Sequence, residues 1–332
     1  AHPGGRLAAV PLPPVIPPRI DRRGWLRRPT LGKSALARNE ARWGLIFLSP
    51  WIFGFLAFTL FPMIASLIFS VTNISLAQDQ PLRFVGLENF QRMLADKQTW
   101  ESLAVTFRFA AFNLPIAIVI PFVVALVLNS RYLRGVGIFR TLFFMPYVIP
   151  FVSGLLAWQG MLNLETGWVN EFLRLIGVQN PPNWLQDTTL IYPSLAFIGL
   201  WGIGAGVIVN LAGLRGIPSE LYDAARIDGA GWWAVLRNVT LPMMSPVIFY
   251  SLILGIVDVL QYFLVPLVLY NGTGEPGGST LFFNLVIYKQ AFNFQNFSYG
   301  ATLAWLLFGI TLAITLVVFR TSRRWVYYAG ER

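Results

Sequence analysis

The chain has 332 residues, 55% apolar and only 12% charged, with 25 Lys and Arg against 15 Asp and Glu for a formal net charge of +10. A soluble domain carries about twice that charged fraction, and so large an apolar excess excludes intrinsic disorder. Cysteine is absent and the one histidine is His2, which rules out a disulfide scaffold, a cysteine-held metal site, a thiol enzyme and a histidine-based triad.

Residues 1–43 read as a tail and not as a cleaved signal, because the apolar run behind them is too long for a signal core and has no small-residue cleavage site. The proline-dense stretch Pro3–Pro18 predicts extended chain. Arg22, Arg23, Arg27, Arg28, Arg38 and Arg42 would lie near anionic headgroups. Gly32-Lys33-Ser34 looks like the end of a phosphate loop, but the required earlier glycine is Arg27 and no strand precedes it.

Six apolar runs of spanning length follow, at about 44–70, 104–129, 140–163, 189–213, 244–269 and 300–319. Pro50 and Pro62 are expected to bend the first. Each run must be helical, since a lipid-exposed backbone has no water to satisfy it, and the period-2 pattern of a barrel is missing. The expected fold is an all-α polytopic membrane protein of six transmembrane helices, with a membrane body at 44–320 and short tails at 1–43 and 321–332. With six spans both termini share a side, and 19 of the 25 Lys and Arg fall there. That bias places both termini in the cytoplasm. The charge excess is therefore a topology signal, and no nucleic-acid partner is needed to explain it. Arg108, near the start of the second run, is expected to snorkel or to face a partner.

No constellation for chemistry is present: the catalytic set is empty, no metal site is expected, and no paired carboxylates lie at motif spacing. A chain of this kind moves a solute and does not transform it. Energy would come from an ion gradient or from a partner that hydrolyses nucleotide.

The loop at 217–242 is the most informative segment. Pro218 suits a first helical turn, Ser219 can cap, and Glu220 and Asp223 favour the positive helix N-terminus. Gly229 supplies a stop with positive φ. A second short piece carries Trp232, Trp233 and Leu236, and Leu241-Pro242 begins the next run. Leu221, Ala224, Ala225 and Ile227 form a small apolar face beside charges, which fits either docking into a groove on a cytoplasmic partner or an ordinary interfacial helix.

Asp258 sits in the middle of the fifth run, where an exposed acid costs about 2.5–3.5 kcal/mol. It should face a protein interior or a watery cavity. Gly255 precedes it and Gln261 and Tyr262 follow it at helical spacing, and Trp201 and Gly202 lie at comparable depth on the preceding run, with Asn210 nearer the cytoplasm. Carboxylate, amide and aromatic ring are groups a sugar uses. The other reading is an interhelical hydrogen bond from Asp258, with Trp201 as plain packing.

Asp223-Ala224-Ala225, then Gly229, then Val239-x-Leu241-Pro242 resembles the E-A-A…G…I-x-L-P loop of ABC importer permeases. Asp replaces Glu and Val replaces Ile, both keeping charge or shape. Phe84–Phe90, Phe139–Pro146, Leu211–Tyr222, Asn271–Gly274 and Arg323–Tyr328 are similar to further stretches of carbohydrate-type permeases, the last to the first permease of a heterodimeric sugar importer. The resemblance implies the type I importer permease fold in a bacterial or archaeal inner membrane. It implies a second permease subunit, two copies of a cytoplasmic ATP-binding subunit and an extracytoplasmic solute-binding protein. ATP and Mg would be bound by the partner ATPases, and no cofactor by this chain. Glu220, Leu221, Asp223, Ala224, Ala225, Asp228 and Gly229 would form the coupling helix. Trp201, Gly202, Gly255 and Asp258 would match cavity-lining positions of maltose-type permeases, joined by Gln261 and Tyr262. The solute would be a mono- or oligosaccharide or a related polyol phosphate. A permease for a non-sugar solute and an ion-coupled secondary transporter are the alternatives.

Overall fold

The computed structural model describes residues 35–77, 81–130, 133 and 135–327. The expectations for His2, the Pro3–Pro18 stretch, Arg22, Arg23, Arg27, Arg28, Gly32-Lys33-Ser34 and Tyr328 lie outside the described residues. Two compact units divide the chain between Pro62 and Met63.

The first unit contributes helix α1 (Ala35–Phe55) and a π turn at Leu56–Leu60. From residue 39 to residue 62 no side chain is buried, as suits a helix made to contact lipid or another chain. The helix runs through Pro50 without a break. The irregularity falls just ahead of Pro62, where Phe61 N–H donates to Leu56 O across five residues. Pro62 has no N–H to give, and a wider turn upstream redistributes the backbone bonds.

The second unit is built of helices joined by turns and loops, with no strand among the described residues beyond an isolated bridge between Thr72 and Phe84. Its elements are α2 (Phe61–Ser70, entering from the first unit), α3 (Glu88–Ala95), α4 (Lys97–Leu128), α5 (Val136–Val148), α6 (Phe151–Met161), α7 (Trp168–Leu175), α8 (Ile191–Leu200) and α9 (Gly204–Arg215). These are followed by α10 (Ser219–Ile227), α11 (Trp232–Val235), α12 (Leu241–Leu260), α13 (Leu264–Tyr270), α14 (Phe283–Tyr288) and α15 (Phe297–Ser322). Four helical stretches, 39–70, 97–128, 232–270 and 297–322, are long and apolar enough to cross a membrane. Two bent pairs raise that to six if each pair is one span: α5 with α6, bent by 100°, and α8 with α9, bent by 61°.

Both bends have local causes. Between α5 and α6, Ile149 is extended (φ −73, ψ 131) ahead of Pro150, because the residue before a proline is driven from the helical region. Between α8 and α9 the chain turns at Trp201–Ile203, with Gly202 inside the turn and Gly199 just ahead of it. The expected continuous spans at 140–163 and 189–213 are therefore broken helices. The fifth span also breaks, since α12 ends at Leu260 and α13 restarts at Leu264.

Two apolar clusters hold this unit together. One gathers Phe109 of α4, Ile191 and Leu195 of α8, Leu260 of α12, Phe282 and Leu303. The other gathers Ala125 and Leu128 of α4, Val207 and Leu211 of α9, and Met244 of α12. Helices α4 and α12 thus run through both clusters, while the α8–α9 bend falls between them. Helix α9 also packs on α5. A Cβ at Gly204 would collide with the Phe143 carbonyl oxygen and the Phe144 backbone, so glycine there permits the close approach of the two helices. Most buried polar groups are satisfied within the packing, Arg140 Nε being the one buried polar side-chain atom without a hydrogen-bond partner among the described residues. Thr106 Oγ1 donates to Ser102 O and accepts from Phe283 N–H at 2.9 Å. Tyr270 OH donates to Leu185 O at 2.8 Å, and Asn210 donates to Gly206 O of its own helix.

Candidate functional site

A cavity of about 330 Å³ opens where the two clusters part. Its walls come from the middle of α4 (Asn113 to Pro121), the α8–α9 bend (Gly199, Gly202, Gly206) and the end of α12 (Gly255, Asp258). Tyr262, two residues past the end of α12, closes one side. Its ring is wedged between Phe109 (4.8 Å) and Phe282 (5.0 Å). Gly255 keeps α12 close to α4, where a Cβ would meet Leu114 Cδ1 at 2.7 Å.

Asp258 is exposed in this wall, and neither its carboxylate nor the Asn113 amide has a hydrogen-bond or ionic partner among the described residues. The interhelical hydrogen bond considered for Asp258 is thus not made among the described residues. Asn113 was not singled out from sequence, although an amide in the middle of an apolar run is the same kind of signal that marks Asp258.

A second cavity, of about 660 Å³, adjoins the first through Gly199, Gly202 and Tyr262. It occupies the notch of the α5–α6 break and has an aromatic wall of Tyr147, Phe151, Trp158 and Trp201. Trp158 stands edge-on to Trp201 (5.6 Å, 83°) and to Phe197. Trp201 is half held by that contact and still 43% exposed, so it is both packing and wall. Of the six pathway residues expected from sequence, the structure brings five to these cavities. Gln261 is the exception. The helix ends at Leu260, so Gln261 leaves the Asp258 face; it lines neither cavity, and its carbonyl accepts from Asn284 Nδ2. Asn210 points back to its own helix. Arg108 is exposed, its Nε donating to Ala104 O one turn earlier. No grouping of acidic or histidine side chains among the described residues could hold a metal ion.

The second candidate element is α10 with its flanks. Pro218 takes the N-cap position (φ −56, ψ 133), so Ser219 is already helical and makes no capping bond, contrary to the sequence expectation. Glu220 lies in the first turn and Arg226 in the last, each favourable to the helix dipole. The helix ends as expected. Gly229 has φ +75, Ala230 N–H donates to Ala225 O, and Gly229 N–H donates to Arg226 O. That pair of bonds is the Schellman stop. Asp223 pairs with Arg226 at 2.8 Å on an open surface, an interaction of small worth. Tyr222 packs on the second apolar cluster and its OH lies 3.4 Å from Thr240 Oγ1. The rest of the helix faces outward, with Leu221 exposed, Ile227 87% exposed, and Trp232 and Trp233 exposed beyond it.

A bent multi-span helical body with an internal cavity and a separate projecting loop helix defines a membrane transport subunit. The chain belongs to the family described as binding-protein-dependent transport system inner membrane component, which matches residues 97–329. It is a permease subunit of a binding-protein-dependent ABC importer, a multi-pass inner-membrane component, and the ion-coupled alternative is set aside. It is similar to the probable ABC transporter permease protein YesP of Bacillus subtilis, 33% identical over 90% of this chain and 96% of the relative. It is also similar to the lactose transport system permease protein LacF of Rhizobium radiobacter (32%, covering 89% and 98%). The trehalose/maltose permease protein MalF of Thermococcus litoralis is 30% identical, with 87% and 97% covered. Among solved structures, a chain of a bacterial ABC transporter involved in import of the acidic polysaccharide alginate shares the fold. Its TM-score is 0.75 at 24% identity, covering 88% of this chain and 99% of that one.

Proposed function

We propose that this chain forms, with a second permease subunit, the transmembrane path of a sugar importer in a bacterial or archaeal inner membrane. The six-span form, with residues 44–320 as the body and tails at 1–43 and 321–332 in the cytoplasm, is part of this reading. The charge bias supports the orientation, since 19 of 25 Lys and Arg fall on one side. A sugar is supported by the lactose and trehalose/maltose relatives, with a related polyol phosphate as the other solute class. An extracytoplasmic binding protein would deliver it, and two cytoplasmic ATPase copies would drive the cycle with ATP and Mg.

Trp201, Gly202, Gly255, Asp258 and Tyr262 would meet the solute, with Asn113 added and Gln261 left outside. The 217–242 loop would couple the path to the ATPase through Glu220, Leu221, Asp223, Ala224, Ala225, Asp228 and Gly229. The observation that carries the coupling role is a preformed, capped helix that keeps its apolar residues in the open: Ile227 is 87% exposed while Tyr222 ties the helix to the core. Gly229→Pro tests it. Proline cannot adopt φ +75, so the Schellman stop is lost. In the importer assembled from all subunits, the variant should retain less ATPase on co-purification and lose transport-linked ATP hydrolysis. Unchanged coupling would reject the docking role.

A further inference from the structure

The paired cavities hold one carboxylate, and nothing in their walls answers it. Neither lining contains Lys, Arg or His. Asp258 is exposed there without a hydrogen bond or ion pair, and its neighbours are the neutral Asn113 and Tyr262 amid apolar surface. A single uncompensated charge between low-dielectric walls acts at longer reach than it would in water. Hydroxyl groups would find acceptors in Asp258 and Asn113, while a carboxylate, sulfonate or phosphate would meet a like charge with no cation to offset it.

We infer that Asp258 makes this path a charge filter, admitting neutral and amino sugars and rejecting acidic ones. The inference rests on the reading of these cavities as the solute path, and it narrows that reading by removing sugar acids and polyol phosphates. The fold shared with an alginate transporter does not extend to charge preference.

The test exploits the absence of native cysteine in this chain. Ala117→Cys puts one thiol on the exposed α4 wall of the cavity. The full importer in lipid nanodiscs is treated, without nucleotide and with ATP, with a trimethylammonium or a sulfonate methanethiosulfonate reagent. Labelling of this subunit is followed by mass spectrometry, and rates are divided by those for a free thiol in solution. With Asp258 present the cationic reagent should be favoured on the order of 10-fold. In Asp258→Asn the preference should fall toward unity. Asn113→Asp, which adds a second carboxylate to the same wall, should raise it, and it serves if Asp258→Asn does not assemble. A preference near unity with Asp258 present, or one indifferent to both substitutions, overturns the filter; a cation supplied by the second permease would give that result. Failure of both reagents to reach the thiol in every nucleotide state overturns the solute-path reading itself, and the filter with it.

Discussion

The projecting loop and the central cavity are built in opposite ways. Helix α10 is made from consecutive residues: Pro218 starts it, Gly229 stops it, and one side chain, Tyr222, fastens it to the body. The cavity has no such local recipe. Its walls come from residues 113–121, 199–206 and 255–262, and it exists because two apolar clusters leave a gap where α8–α9 bends. A local element can be altered one residue at a time with local consequences. A cavity formed between distant segments responds to packing changes that never touch its lining.

The largest effect expected from that contrast falls on the loop. Ile227 is 87% exposed and supports nothing inside the chain. If it is a buried anchor of the assembled importer, Ile227→Asp should weaken ATPase binding by about 2 kcal/mol or more, some 30-fold. The thermal unfolding of the isolated subunit should stay unchanged. Equal affinity for the ATPase in a titration would show that the apolar face is not an interface. A fall in the subunit's own melting temperature would show that α10 is less independent of the body than its exposure implies.

A smaller, differently shaped effect is expected in the cavity. Asp258 has no partner among the described residues, so Asp258→Ala should leave subunit assembly intact. Solute transport should fall by about 10-fold, or its preference among solutes should shift, which is the lower end of the ~1.5–3 kcal/mol that a hydrogen bond to a charged group is worth. Normal transport kinetics across a panel of sugars would remove Asp258 from the path. Failed assembly with normal folding would reassign it to a contact with the second permease.

The same contrast explains what was legible in the sequence. Helix α10 was readable to its last residues, because caps, dipole-favourable acids and a positive-φ glycine are all encoded locally. Only the start shifted by one, with Pro218 as the cap in place of Ser219. The second short piece expected around Trp232, Trp233 and Leu236 instead runs on through a π turn into α12. The apolar runs were readable by length, but their breaks were not. Pro150 carried a signal for the 100° bend, whereas nothing at residues 261–263 announces the end of α12 except its consequence. That break is why Gln261, placed on the Asp258 face by helical spacing, lies off it, and why Tyr262 reaches the cavity from beyond the helix. Asp258 was found because a charge in an apolar run stands out. Asn113 carried a weaker version of that signal, and Gly199 carried none, since a glycine in a span marks a cavity only once its neighbours across the packing are known.

The smallest expected effect separates the two regions most cleanly. Gly204 lines neither cavity and begins α9, at the end of that helix away from the loop, yet a Cβ there would strike the Phe143–Phe144 backbone. Neither side can yield by a rotamer change, so Gly204→Ala must push α9 from α5 at a cost of about 1–3 kcal/mol. Helix α5 ends in the Pro146–Val148 wall of the aromatic cavity, so its displacement should lower the melting temperature and change transport together. The loop, defined by its own caps and by Tyr222, should keep its affinity for the ATPase. Loss of that affinity in Gly204→Ala would mean that α10 reads the packing of the body directly, and the division between a locally built loop and a cavity built by packing would not hold.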